Sequence, residues 1–138
     1  MARGFLLAFL VFGLVACDGV DVTDPGSVSG TYTLRTINGE ELPSVLLQNG
    51  TTYLLEITEG SLTLNEDLTC ILRLTVRETD AGIVDTDIWT LEFTYALTSG
   101  SITLTAGAIL LSGSITGSSI TLIWSFSAND EEVLVFRK

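Results

Sequence analysis

Three kinds of side chain in this sequence could do chemistry: two cysteines, Cys17 and Cys70, a large set of carboxylates, and a run of aromatic residues at alternating positions. Histidine is absent. That removes the commonest general base and the commonest metal ligand. Neither a Ser-His-Asp nor a Cys-His arrangement can be built within the chain, and two cysteines without histidine cannot hold a zinc cluster. Asp80, Asp85 and Asp87 fall close together, as do Asn65, Glu66 and Asp67. Calcium takes six to eight oxygens, and neither group has the spacing of a calcium loop, so both are expected to be solvated turn residues. Two carboxylates can hydrolyse a glycoside, but with seventeen acidic residues no pair is singled out. The expectation is a non-enzymatic protein with no metal and no cofactor.

Cys17 stands in a more specific setting. Arg3 is followed by an apolar run, Phe5 to Ala16, which ends at that cysteine. Twelve residues are too few for a bilayer-spanning helix, which needs about 20. A positive start, a short apolar run and a small residue before the cut read as a secretory signal. Leu14-Val15-Ala16-Cys17 also resembles the lipobox of bacterial lipoproteins. That resemblance implies cleavage between Ala16 and Cys17, diacylglycerol on the Cys17 thiol, and further acylation of the new N-terminus with a chain such as palmitate. Two or more acyl chains anchor stably where one does not. The expected place is the cell envelope, tethered to a membrane on the periplasmic side or at the outer membrane. The competing reading is an ordinary signal peptide beside an incidental cysteine.

Without residues 1–16 the chain has 122 residues, five of them basic and seventeen acidic. The length suits one domain with a core of its own. The charge argues against nucleic acid, which is held largely by Lys and Arg, and against lying flat on anionic lipid. It favours a soluble monomer kept apart by self-repulsion. With Cys17 as a thioether, Cys70 has no partner. It shares a strand face with Leu72 and Leu74 and is expected to be buried and inert.

The elements that must position these residues are strands. Residues 17–29, with Gly, Pro, Ser and several Asp, read as an acidic linker behind the anchor. From Gly30 the apolar period becomes two. Strands are predicted over 30–37, 51–58, 61–64, 69–79, 86–98, 101–105, 109–116, 119–126 and 132–138. Asn38-Gly39, Glu59-Gly60, a longer loop over 80–85, Ser99-Gly100 and Gly117-Ser118 punctuate them. Residues 40–50 are expected to be irregular, with a short helical turn. Short strands at regular spacing mean an all-β sandwich or barrel, and short links favour an antiparallel up-and-down meander. Closing it removes exposed edges. The fold expected for 30–138 is therefore an antiparallel barrel of about eight to ten strands, behind a signal-peptide helix.

Gly30-Thr-Tyr-Thr-Leu, Ile37-Asn-Gly, Leu42-Pro43, Gly60-Ser-Leu-Thr-Leu-Asn-Glu-Asp and Val135-Phe-Arg-Lys138 resemble the lipocalin-like domains of small bacterial lipoproteins. Lipocalins carry Gly-x-Trp in the first strand and a basic residue near the end that packs over that Trp. Gly30 and Tyr32 occupy the first pattern, with Tyr in place of Trp, and Arg137 is the partner that the resemblance implies. It also implies a barrel that holds a small apolar ligand. Trp89, Phe93, Tyr95, Trp124 and Phe126 would line such a cavity. The alternative is a barrel whose interior these side chains fill, which would make the protein a structural or interaction module of the envelope.

Overall fold

The structure is a computed structural model and describes residues 24–127 and 130–138. Cys17, Ala16 and the whole of the apolar run lie outside the described residues. The elements are a helical turn α1 (Pro25–Val28) and ten strands: β1 (Gly30–Ile37), β2 (Glu40–Glu41), β3 (Ser44–Asn49), β4 (Tyr53–Leu64), β5 (Thr69–Asp80), β6 (Ile83–Thr98), β7 (Ser101–Ala106), β8 (Ile109–Thr116), β9 (Ser119–Ser127) and β10 (Asp130–Arg137).

Every strand pairing is antiparallel, and from β3 to β10 sequence neighbours are spatial neighbours. Strand β1 closes the ring. It pairs β10 along one edge and the end of β4 along the other, from Gly30 opposite Leu64 to Thr33 opposite Ser61. Eight strands, β1 and β4 to β10, therefore form a closed up-and-down barrel, with β2 and β3 added to its rim. The expected fold class is found.

The interior follows from the period of two. On β5, Cys70, Leu72, Leu74 and Val76 are buried, and Arg73 between them is exposed. Leu62 and Leu64 on β4, Ile102 and Leu104 on β7, Leu111 and Ile115 on β8, Ile120 and Leu122 on β9, and Leu134 and Phe136 on β10 continue the same inner surface. Each such Leu, Ile or Phe contributes about 1.5–3 kcal/mol by leaving water. Among the described residues no polar or charged residue is buried.

Four sequence expectations are corrected. Residues 40–50 are not irregular: they form β2, a two-residue strand beside the end of β1, and β3, which pairs the first half of β4. Glu59-Gly60 does not turn the chain. Both residues pair with β5, Glu59 opposite Thr75 and Gly60 opposite Leu74, just past an irregular step at Thr58 in one twelve-residue strand, β4, because an extra residue in a strand can be absorbed as a bulge without ending it. The loop expected over 80–85 is a tight hairpin, Asp80 opposite Ile83 with Ala81 and Gly82 both at positive φ, the type I′ geometry that two-residue hairpins prefer. Finally, the linker stops short of Ser29. Pro25–Val28 form α1, capped by the Asp24 carboxylate, which accepts from the Gly26 amide, and Val28 is fully buried against the barrel.

Candidate functional site

The barrel has two unlike ends. One is built from α1, the start of β1, the Asn65–Leu68 turn and the last residues of β10. Tyr32 is fully buried there, and its hydroxyl donates to the Val28 carbonyl at 2.6 Å. Lys138 Nζ lies 5.2 Å from the centre of the Tyr32 ring and donates to the Ser29 carbonyl at 2.6 Å. The expected partner, Arg137, is exposed. It sits opposite Thr33 on the outer face, and the inward positions of β10 are Leu134 and Phe136, so the next inward residue is Lys138. The cation–aromatic contact, worth about 0.5–2 kcal/mol, exists one residue further along than predicted. Gly30 fits this corner because its φ is 125° and a Cβ there would come within 2.9 Å of Lys138 Cε. Burial pushes the Tyr32 phenol above its ordinary pKa. Tyr95 closes the same end, its hydroxyl donating to the Asn65 carbonyl at 2.6 Å and its amide to the Leu68 carbonyl.

Tyr32→Phe should therefore lower stability by about 1–3 kcal/mol, because the Val28 carbonyl is left buried without a donor. Lys138→Ala should cost about 0.5–1 kcal/mol through the lost ring contact. Urea unfolding of both variants, compared through their midpoints, measures the two numbers.

The residues expected to line one ligand cavity do not converge on one. Phe93 and Tyr95 belong to the packed core, at 3% and 4% exposure. Trp89 and Trp124 are half-buried at its edge and line separate hollows. Trp89 shares a hollow of about 350 Å³ with Leu55, Val76, Glu78, Asp85 and Asp87. Trp124 shares one of about 420 Å³ with Ile109 and Leu110. Phe126 falls within β9, and its side chain lies outside the described residues. A third concavity, about 670 Å³ along β1 and β10, is lined by Arg35, Glu41, Leu42, Arg137 and Lys138. Sequence reading missed it, because Arg35 and Arg137 are brought together only by the β1–β10 pairing.

Cys70 is the free cysteine among the described residues and is buried. Burial pushes its thiol from an ordinary pKa of 9.0 up to about 12. Only the thiolate is nucleophilic, so native protein should react with a thiol reagent at pH 8 more than tenfold more slowly than urea-unfolded protein. The linkage has a definite sign. The folded thiol holds its proton to higher pH than the unfolded one, so the stability it contributes is complete below about pH 9 and is lost as pH rises toward about 12.

The acidic groups separate as well. Asp67 is an Asx-type turn residue. Its carboxylate accepts from the Thr69 hydroxyl at 2.6 Å and the Thr69 amide at 3.0 Å, and these bonds hold its pKa below the usual value. Asp85 and Asp87 are strand residues of β6, opposite Glu78 and Val76. Nearby Tyr53 has its phenol raised by partial desolvation, by a hydrogen bond with Glu78 and by the charges of Glu78 and Asp80. Among the described residues no group of three or more acidic or sulfur ligands is placed to hold a metal, and no helix is long and apolar enough to cross a membrane.

Comparison with known proteins found no matching family model, no matching curated protein and no matching solved structure.

Proposed function

We propose that this protein is a lipid-anchored barrel of the bacterial cell envelope, held by acyl chains on Cys17, and that it works through its outer surface without catalysing a reaction. The observation that carries the second half is the filled interior. Leu62, Leu72, Leu74, Ile102, Leu104, Leu111, Ile120, Leu122, Leu134 and Phe136 are all at 0% exposure, contributed by six strands around the ring. A ligand-holding barrel needs a hollow of a few hundred Å³ lined by apolar side chains. Here the apolar residues that would line it are in contact with one another. The first half is supported by the sequence of residues 14–17, Leu14-Val15-Ala16-Cys17, at the end of a short apolar run.

Native mass spectrometry of the full chain extracted in mild detergent tests both halves. The expected species is the chain from Cys17 carrying only its acyl groups. An additional apolar adduct would overturn the solid-barrel reading. An unmodified Cys17, or a Cys17→Ser protein that stays with the membrane fraction, would overturn the anchor. A second reading, a small apolar ligand held at the rim, draws on half-buried Trp124 beside exposed Leu110. Saturable displacement of a fluorescent fatty acid, lost in Trp124→Ala, would favour it.

A further inference from the structure

Strand β6 is sixteen residues long, but β7 covers only its last part, from Thr94 opposite Thr105 to Thr98 opposite Ser101. From Ile83 to Phe93 it pairs with β5 alone among the described residues. Its other edge is open there. In an antiparallel pair, hydrogen-bonded and non-hydrogen-bonded positions alternate. Counted from the Asp80–Ile83 hairpin, the amides and carbonyls of Val84, Thr86, Ile88, Thr90 and Glu92 turn to the open side. Two of these amides are taken by side chains of the same strand. Asp85 accepts from the Thr86 amide at 2.9 Å, and Asp87 from the Ile88 amide at 2.8 Å. The flanking apolar side chains remain in water: Ile83, Val84 and Ile88 are 74%, 60% and 61% exposed. Long apolar open edges are templates for another strand.

The two faces of this edge differ, and the difference selects the partner. One face presents Val84, Thr86, Ile88 and Thr90. The other presents Asp85 and Asp87 from β6 and Glu78 and Asp80 from β5, around the hollow floored by Leu55, Val76 and Trp89. We infer that the open edge of β6 takes up an extended segment of a partner protein in which basic residues alternate with apolar ones. The basic side chains would enter the acidic hollow, where Trp89 offers an aromatic face to a cation. The apolar ones would cover Val84 and Ile88. The partner's carbonyls would replace Asp85 and Asp87 as acceptors for the Thr86 and Ile88 amides, in the manner of strand addition to a sheet edge. A second copy of this chain fits less well. An antiparallel β6–β6 pair centred on Ile88 sets the two Asp87 carboxylates diagonally adjacent on one face, and each chain carries a net charge of −11.

This inference rests on the reading that the protein works through its surface. A ligand retained in the interior would remove that reading and leave the edge measurements standing.

The test titrates the detergent-extracted full chain with three nine-residue peptides: alternating Lys and Val, alternating Glu and Val, and the Lys-Val peptide with two Val replaced by Pro. The expected result is saturable binding of the first, at least tenfold tighter than either of the others. It should weaken at least tenfold in Thr90→Pro, which removes one open-edge amide without touching the β5 ladder, and in Asp85→Asn with Asp87→Asn, which should leave the fold intact should the proline variant fail to fold. Absence of saturable binding, equal binding of the proline peptide, or binding unchanged in the double Asn variant would overturn the inference. So would a dimer of the protein alone in sedimentation that Thr90→Pro abolishes, because the open edge would then be occupied by a second copy.

Discussion

Gly113→Ala should cost the barrel at least about 3 kcal/mol, the upper end of what overpacking usually does. The residue sits mid-strand in β8, opposite Leu122 of β9. A Cβ there would fall 1.8 Å from the Thr121 carbonyl oxygen, 2.8 Å from its carbon and 3.0 Å from Leu122 Cα. All three are backbone atoms, so no rotamer change relieves the contact. Only a separation of β8 from β9 can, and that breaks ladder hydrogen bonds in a ring with no spare strand. A loss of this size is a large part of a small domain's whole stability, so the variant should be partly unfolded at 37 °C. Ser112→Ala, an exposed neighbour on the same strand, should stay within about 0.5 kcal/mol of the parent. Urea midpoints at one pH compare the two directly. A neutral Gly113→Ala would mean that β8 and β9 do not approach as described.

The same glycine shows what a sequence reader can and cannot extract. Within 109–116 it is simply a small residue between Ser112 and Ser114, with nothing to mark a close backbone approach. The strand itself was legible, as were seven others, because a barrel wall alternates apolar and polar side chains over most of its length. Where that alternation fails, reading failed too. Val45-Leu46-Leu47 is apolar without a period, and β3 was missed. Ile83-Val84 breaks the alternation of β6, because that segment projects past the ring and has water on both faces. Glu59-Gly60 looked like a turn because composition cannot distinguish a turn from a bulge. At the Tyr32 corner the chemistry was legible but its register was not: choosing between Arg137 and Lys138 requires knowing which of two neighbours points inward. The aromatic residues grouped as one cavity lining were sorted only by the structure. Position along a strand decides whether an inward aromatic meets other side chains, as Phe93 does, or the rim, as Trp89 does. The open edge of β6 was invisible for a different reason. Nothing in residues 83–93 records that β7 stops short at Ala106.

Phe136→Ala is the substitution that most directly separates a filled barrel from a hollow one. The side chain is fully buried, and its residue on β10 pairs with Ile120 on β9 and with Leu34 on β1, the strand that closes the barrel. In a close-packed interior, truncating it removes the transfer free energy of the ring and leaves a cavity that the surrounding strands fill only in part. The expected cost is about 3–5 kcal/mol. Val133→Ala on the same strand, at 36% exposure, should lose less than about 1 kcal/mol, since a partly exposed side chain leaves no enclosed void. The cavity itself gives a second readout. A dry apolar void of that size admits benzene or xenon, so the variant's melting temperature should rise with benzene concentration while the parent's does not. In a barrel that is already hollow the ring would line empty space, and its removal would leave most neighbours as they were. A cost below about 1 kcal/mol, with benzene stabilising parent and variant alike, would therefore point to an interior built to hold a ligand, and the outer-surface role proposed above would lose its support.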